Sequence, residues 1–460
     1  MIFKKSQFIQ IKKLEVLYQR YIIFWGVKMV YTLIISISAI ILMFLCILKF
    51  PILRIKNITL DTFFMPLLFA AILLILLPGF DRNQFFQSLI SNSDINPLKI
   101  LILFISISFI SIALDEAGFF RYIASIFIEK YRKSQYMLFF VLYALISIIT
   151  VFTSNDIVIL TFTPFILYFS KKGNINPIPY LVMEFTAANT WSMVLSIGNP
   201  TNIYLSTLFH LDFLEYFLKM ILPAVFTSIF SISVLLLLFH KSLSKKIEVF
   251  DFEKAKIENK LVCIVSLIHL ILTTILLAIS NYIHFEMWII CLSFAVSLLL
   301  FLFSYGLIAK KKRYIKATLK RAPYSLIPFI LSMYTIIMAL NGYGIFNEIG
   351  NLFHNTKESI EPLLYLSSST LSCNIVNNIP MTMMYSSILS GTSNVKLVYA
   401  TIMGSNIGAL LTPVGALAGI MWMRILKENG IKYTFIDFMK NGLLITLFLL
   451  ISCGISLFII

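Results

Sequence analysis

Two stretches decide how this chain folds: Pro97–Phe120, PLKILILFISISFISIALDEAGFF, and Pro323–Phe346, PYSLIPFILSMYTIIMALNGYGIF. They align without a gap. Pro opens each, Ala-Leu precedes Asp115 or Asn341, and Gly118 matches Gly344. The match continues beyond them, through a short amphipathic stretch (119–131, 345–356) and then an apolar segment ending in a polar tip. The tips are Ser154-Asn155-Asp156-Ile157 and Val376-Asn377-Asn378-Ile379, each with a nearby proline, Pro164 or Pro380. A second interrupted segment comes next, holding Gly198-Asn199-Pro200-Thr201-Asn202 in one half and Thr412-Pro413-Val414-Gly415 in the other. Internal symmetry with Gly- and Pro-broken hydrophobic segments at matching places points to a secondary transporter whose site lies at the repeat interface.

The rest of the chain agrees with a membrane reading. Of its 460 residues 59% are hydrophobic and 13% charged, which excludes a soluble globule. Long, nearly uncharged runs lie at 29–48, 62–79, 97–114, 217–239, 261–281, 284–304, 324–341 and 441–460, each long enough to cross a bilayer. Four further apolar regions, 136–170, 180–208, 360–390 and 395–425, carry Asn, Gly, Pro, Ser or Thr at their centres. In hydrocarbon such breaks are tolerated only where the backbone is buried in protein or lines a wet cavity, so these are two re-entrant hairpins and two broken helices. The expected fold is an all-α integral membrane protein of about 10–12 spans in two inverted-topology repeats. Residues 1–61 form a basic N-terminal segment and first span; 62–239 form the first half, with repeat 1 over 97–239. Residues 240–260 form a cytoplasmic linker, and 261–460 the second half, with repeat 2 over 323–460.

The net charge of +16 collects in short segments between apolar runs, above all 240–260 and 309–321, which places those segments in the cytoplasm and gives no reason to expect nucleic acid. Counting spans outward from them inverts one half against the other, in a cytoplasmic membrane. The same count sends residues 1–28 outside despite six basic residues, so this segment is read as an interfacial or half-inserted element. No Walker lysine motif, nucleophile elbow or zinc-protease pattern occurs, and His and Cys lack ligand spacing. Neither an enzyme, a cofactor nor a metal site is expected.

A hairpin tip at the midplane brings together ends of half-helices, whose unpaired N–H and C=O groups hold polar solutes. Ser154, Asn155, Gly198, Asn199, Thr201, Asn202, Asn377, Asn378, Thr412 and Gly415 are the candidate solute-binding residues. Any one of the Asn or Pro alone would serve equally as a cap or kink; four tips in two matching pairs favour a solute site. Asp156, an ionisable group beside a tip, is the first candidate for the coupling proton or ion. Asp115 and Glu116 either take part in coupling or face water and cap the next helix, and Glu184 is either a coupling or an interface residue.

Leu114-Asp115-Glu116-Ala117-Gly118-Phe119-Phe120, Phe152-Thr153-Ser154-Asn155-Asp156, Asn377-Asn378-Ile379-Pro380-Met381-Thr382 and, most specifically, the run Gly404 to Leu417, GSNIGALLTPVGAL, resemble the arsenite efflux permeases of the ion-transporter superfamily. That superfamily also holds divalent-anion/sodium symporters, citrate carriers and a class of sodium/proton antiporters. The resemblance runs from about residue 60 to the C-terminus. It implies a scaffold part and a transport part that moves as an elevator, carrying hairpins and broken helices. Asp156 stands where sodium-coupled members have Thr, as in arsenite permeases. The function so implied is arsenite or antimonite efflux coupled to proton influx. Alternatives are a sodium- or proton-coupled di- or tricarboxylate carrier, and a membrane subunit partnering a soluble ATPase. Partners would then be a small inorganic or anionic solute, H+ or Na+, membrane lipid, and a homodimer or soluble ATPase.

Overall fold

The computed structural model describes residues 2–55, 58–91, 96–131, 133–247, 254–280 and 282–460, the side chains of 2–25, 54–55 and 58–59 excepted. Among these, eight helices are long and apolar enough to cross a membrane: Gly26–Lys49, Pro97–Glu116, Gln135–Phe152, Phe213–Leu243, Lys260–Ala278, Met287–Ile308, Arg313–Asn341, which a short break divides, and Phe435–Leu457. The chain is thus a multi-pass membrane protein. Seven of the eight uninterrupted runs read from the sequence appear as such helices. The run at 62–79 is helical only over Met65–Leu76, about 18 Å of rise. Pro66 starts that helix, and Pro78-Gly79, with Gly79 at a φ of 111°, follows its end. One departure from all-α is a two-stranded antiparallel sheet, Ile52–Ile55 with Ile58–Asp61. The basic N-terminal segment continues the first span as one helix, Ile2–Lys49.

The two halves carry the same elements in the same order. The first has a span (Pro97–Glu116), a short helix (Phe119–Tyr131), a hairpin (outgoing arm Gln135–Phe152, return arm Asn155–Lys172), a broken helix (Ile178–Trp191, then Pro200–Leu208) and a long helix (Phe213–Leu243). In the second these are Leu326–Asn341, Ile345–His354, Glu361–Val376 with Asn378–Ile388, Val395–Gly408 with Leu417–Glu428, and Phe435–Leu457. Gly118 and Gly344, paired by sequence, both take a left-handed φ, 86° and 73°. All four breaks fall inside the four regions whose polar centres marked them.

Packing crosses between the halves. Pro97–Glu116 packs on Lys260–Ala278, Met287–Ile308 and Arg313–Arg321, which precede the second repeat, whereas Leu326–Asn341 packs on the first span and Met65–Leu76, which precede the first. Burial separates centre from rim: 78% of the Pro97–Glu116 window is buried, against 28% for Met287–Ile308. The outward faces of the rim helices are apolar, with Ile264, Ile268, Ile271, Leu300 and Phe303 exposed, as lipid contact requires.

The charged segments do not merely face water. The helix Phe213–Leu243 extends into the first linker segment, and the stretch before Lys260 is pinned to the Gly118 corner. Glu258 N–H donates to the Ala117 carbonyl at 3.0 Å, and the Glu258 carboxylate pairs with Arg313 at 2.9 Å. Arg313–Arg321 is a helix with Tyr314 and Thr318 buried. His269 Nδ1 donates to Val265 O at 2.8 Å within its span, and its Nε2 hydrogen-bonds Ser297 Oγ at 3.2 Å across to the next span, so it is a partly buried histidine tied between two helices.

Candidate functional site

Each break leaves a helix N-terminus pointing inward, and a polar side chain caps three of them. Ser154 Oγ accepts from Ile157 N, Asn199 Oδ1 from Thr201 N at 3.2 Å, and Asn377 Oδ1 from Ile379 N. Capping therefore occupies one acceptor of each of these candidates. The amide N–H groups of Asn199 and Asn377 bond across the breaks.

At the first tip, Asn155 Nδ2 donates to Asn189 Oδ1 at 3.2 Å. Asn189 is the third residue from the end of Ile178–Trp191; Asn406 holds the same place in Val395–Gly408. Asn406 is the node of a fully buried network. Its Oδ1 accepts from Ser192 Oγ at 2.9 Å and Asn199 Nδ2 at 3.2 Å, while its Nδ2 donates to Asn202 Oδ1 at 2.7 Å. Ser405 Oγ donates to Thr201 Oγ1 at 3.0 Å beside it. Gly198 closes this loop, since a Cβ there would lie 2.2 Å from the Ser192 carbonyl oxygen.

The second tip is built the same way on its own broken helix. Asn377 Nδ2 donates to Val414 O at 2.9 Å, and Asn378 N–H to Gly415 O at 2.9 Å. Thr412 Oγ1 donates to Asn374 Oδ1 at 2.7 Å, and Asn374 Nδ2 donates on to Gly408 O at 3.0 Å. A Cβ on Gly415 would fall 2.8 Å from Gly408 O. Asn377 itself takes a φ of 75°, a turn conformation that Asn tolerates better than most residues. One atom stands apart: Asn378 Oδ1 is buried and accepts no hydrogen bond.

The return arms then cross between halves. Asn155–Lys172 packs on Leu417–Glu428, and Asn378–Ile388 on Pro200–Leu208. All ten predicted solute-binding residues thus line the four breaks, in two clusters joined through the helix Val395–Gly408. No Lys or Arg among the described residues bonds to any of them.

Of the three predicted coupling carboxylates, Asp115 and Glu116 lie away from the breaks, whereas Asp156 stays beside the first tip, its N–H donating to Asn155 Oδ1 at 3.0 Å. Asp156 is half-buried in a small cavity shared with Asp61, Pro323, Leu417 and Arg424, on the seam between the return arm, the β-hairpin and the second half. Asp115 and Glu116 both pair with Arg321, at 2.7 and 2.6 Å, clamping the central span to the basic helix. Sequence reasoning left Asn189, Ser192, Asn374, Ser405 and Asn406 out of the site. The equivalent positions of Asn189 and Asn406 near the ends of matching segments were the available signal.

A family model described as Citrate transporter matches residues 21–395. A putative arsenical pump membrane protein of Bacillus subtilis (strain 168) is 26% identical over 371 residues, covering 73% of this chain and 81% of that protein. An arsenical pump membrane protein of Escherichia coli is 24% identical over 362 residues, covering 75% and 82%. Among solved structures, the Alcanivorax borkumensis YdaH transporter superposes with a TM-score of 0.52 at 13% identity, covering 94% of this chain and 98% of that one, a likeness of fold.

Proposed function

Since the chain belongs to the Citrate transporter family, we propose that it is a secondary active transporter that expels arsenite or antimonite in exchange for protons. Two inverted repeats would supply a scaffold and a moving part that carries the hairpins and broken helices across the membrane. The observation that carries the choice of solute is Asn378 Oδ1, a buried acceptor with no donor in a cluster without cations. Arsenite at neutral pH is an uncharged trihydroxy species; its O–H groups would donate to this oxygen, and the neighbouring amides and hydroxyls would accept and donate in turn. The arsenical pump relatives, similar over about three-quarters of the chain, support the same solute. Asp156, facing a cavity at the seam between moving and fixed parts, is the proposed carrier of the coupling proton.

The test is arsenite uptake into everted vesicles with and without an imposed pH gradient. Gradient-dependent accumulation in the wild type, lost in Asp156→Asn with the protein still inserted, is the expected result. No gradient-dependent accumulation sinks the proposal, and wild-type accumulation in Asp156→Asn removes that residue from it.

A second reading, a proton- or sodium-coupled di- or tricarboxylate carrier, is favoured by the family's description and by the helix N-termini that open at the breaks, which hold anions without side-chain cations. Protection of the purified protein against thermal unfolding by citrate or succinate, and not by As(III), would select it.

A further inference from the structure

Glu184 is completely buried in Ile178–Trp191, the first segment of the broken helix, and no cation among the described residues pairs with it. Thr163 Oγ1, on the return arm, lies 3.0 Å from both of its carboxyl oxygens. The Trp422 indole N–H, on Leu417–Glu428, approaches the same carboxyl without completing a hydrogen bond. The outgoing arm packed against this helix carries no charged residue, only Tyr136 and Tyr143 as titratable groups. The ionisable groups of its other neighbours are Asp156, Tyr168, Lys171 and Lys172 on the return arm, Glu215, Tyr216, Lys219, His240 and Lys241 on the long helix, and Lys396 and Tyr399 on Val395–Gly408. Arg424, Lys427 and Glu428 lie on the segment of Trp422, Asp437, Lys440 and Cys453 on the last helix, and Tyr180 on the same segment as Glu184. None of them touches the carboxyl.

An unpaired carboxylate sealed from water costs several kcal/mol in round terms, so about the only stable form here is the neutral acid. The hydrogen bonding agrees. A hydroxyl has one proton, which a carboxylate would have to share between the two equal contacts in a weaker three-centre bond; a neutral carboxyl makes two full bonds, donating to Thr163 Oγ1 and accepting from it. The ionised form would need a second donor, and the unbonded Trp422 N–H stands beside it. Thr163 also lies seven residues beyond Asp156, two turns along the same face of the return arm, about 10 Å.

We propose that Glu184 is a second proton-binding carboxylate of the transport cycle, held behind Asp156 where the return arm, the first broken helix and the exit segment of the second broken helix meet. With the proton bound it bonds to Thr163 alone. With the proton released it draws in Trp422, so that protonation sets how these three elements pack. The inference rests on the proton-coupled reading of the transporter.

The experiment uses the full chain purified into liposomes, with arsenite as the solute. Glu184→Gln should keep arsenite counterflow at equal pH and lose accumulation driven by a pH gradient. It should also lose the infrared C=O band of a neutral buried carboxyl that the wild type shows at neutral pH. Wild-type accumulation in Glu184→Gln, or a band unchanged by that substitution, overturns the proposal. If Glu184→Gln does not insert, Trp422→Phe decides: it removes one donor to the ionised form and should move the midpoint of the counterflow pH profile upward, and an unmoved midpoint overturns the role. A wild type that moves no arsenite refutes the solute, while the infrared band, which needs none, still decides Glu184.

Discussion

Replacing Asn406 by Ala strikes the network at its node. The side chain makes four good hydrogen bonds: from Ser192 Oγ, from Asn199 Nδ2, to Asn202 Oδ1 and to Ile402 O. After truncation Ser192 keeps its bond to Asn189 O, and Asn202 Oδ1 keeps the hydroxyl of Thr201 at 3.3 Å. The Asn199 amide, buried to 1% exposure, keeps no acceptor. One orphaned donor at about 1–3 kcal/mol, with two partners each losing about 0.5–1.5 kcal/mol, gives about 2–6 kcal/mol. Even 2 kcal/mol shifts the balance between packed and opened breaks about thirtyfold. Asn406→Asp preserves size but sets a carboxylate oxygen against Asn202 Oδ1, where the amide now donates at 2.7 Å, and should be at least as damaging. The assay is a pair: thermal unfolding of the purified protein followed by tryptophan fluorescence, and initial arsenite uptake into everted vesicles. Both variants should melt earlier and transport little. Asn406→Ala with wild-type melting and wild-type rate would refute the reasoning, since it would mean that the bonds across the two breaks hold nothing together.

Arg321→Met leaves Asp115, 3% exposed, with no cation. Because the arginine side chain is itself 30% exposed, the loss should fall near the lower end of the range for broken buried pairs, about 3 kcal/mol. Adding Asp115→Asn to that variant should recover part of the melting temperature, and an additive loss would show that the pair does not couple. Gly198→Ala drives a methyl to 2.2 Å from the Ser192 carbonyl oxygen, a backbone atom that cannot swing aside. Expected is a loss of about 1–3 kcal/mol with transport abolished, read in the same two assays; a silent substitution would show that the loop is slack.

The fold was largely legible because membranes punish broken backbone. Clusters of Asn, Gly, Pro, Ser and Thr inside apolar runs pointed to interrupted helices, and the breaks at Thr153-Ser154, Ser192–Asn199, Asn377 and Ala409–Ala416 fall in those clusters, although Pro164 stays within regular helix. The two-stranded sheet was not legible, since four-residue strands, Ile-Leu-Arg-Ile and Ile-Thr-Leu-Asp, beside a span leave no pattern longer than a loop. The site was legible by halves. Residues at the breaks announce themselves, but Asn189 and Asn406 sit inside regular helix, and Asn406 meets Asn199 across 207 positions of sequence. Nothing local marks such a contact. Glu184 was visible as a carboxylate in an apolar stretch, yet its seclusion depends on Thr163 and Trp422 from two other elements, which a single sequence does not bring together.

The crossed packing of the halves has a consequence for biosynthesis. Pro97–Glu116, the most buried span, is made well before the helices at 260–321 that enclose it. Until those emerge it must wait in the bilayer with lipid, or an insertase, against a face that will later meet protein. Asp115 waits with it, near the membrane boundary and without Arg321. The order of synthesis therefore leaves the central helix a guest of the membrane first and of the protein second, and its charged end makes that interval the exposed point in assembly.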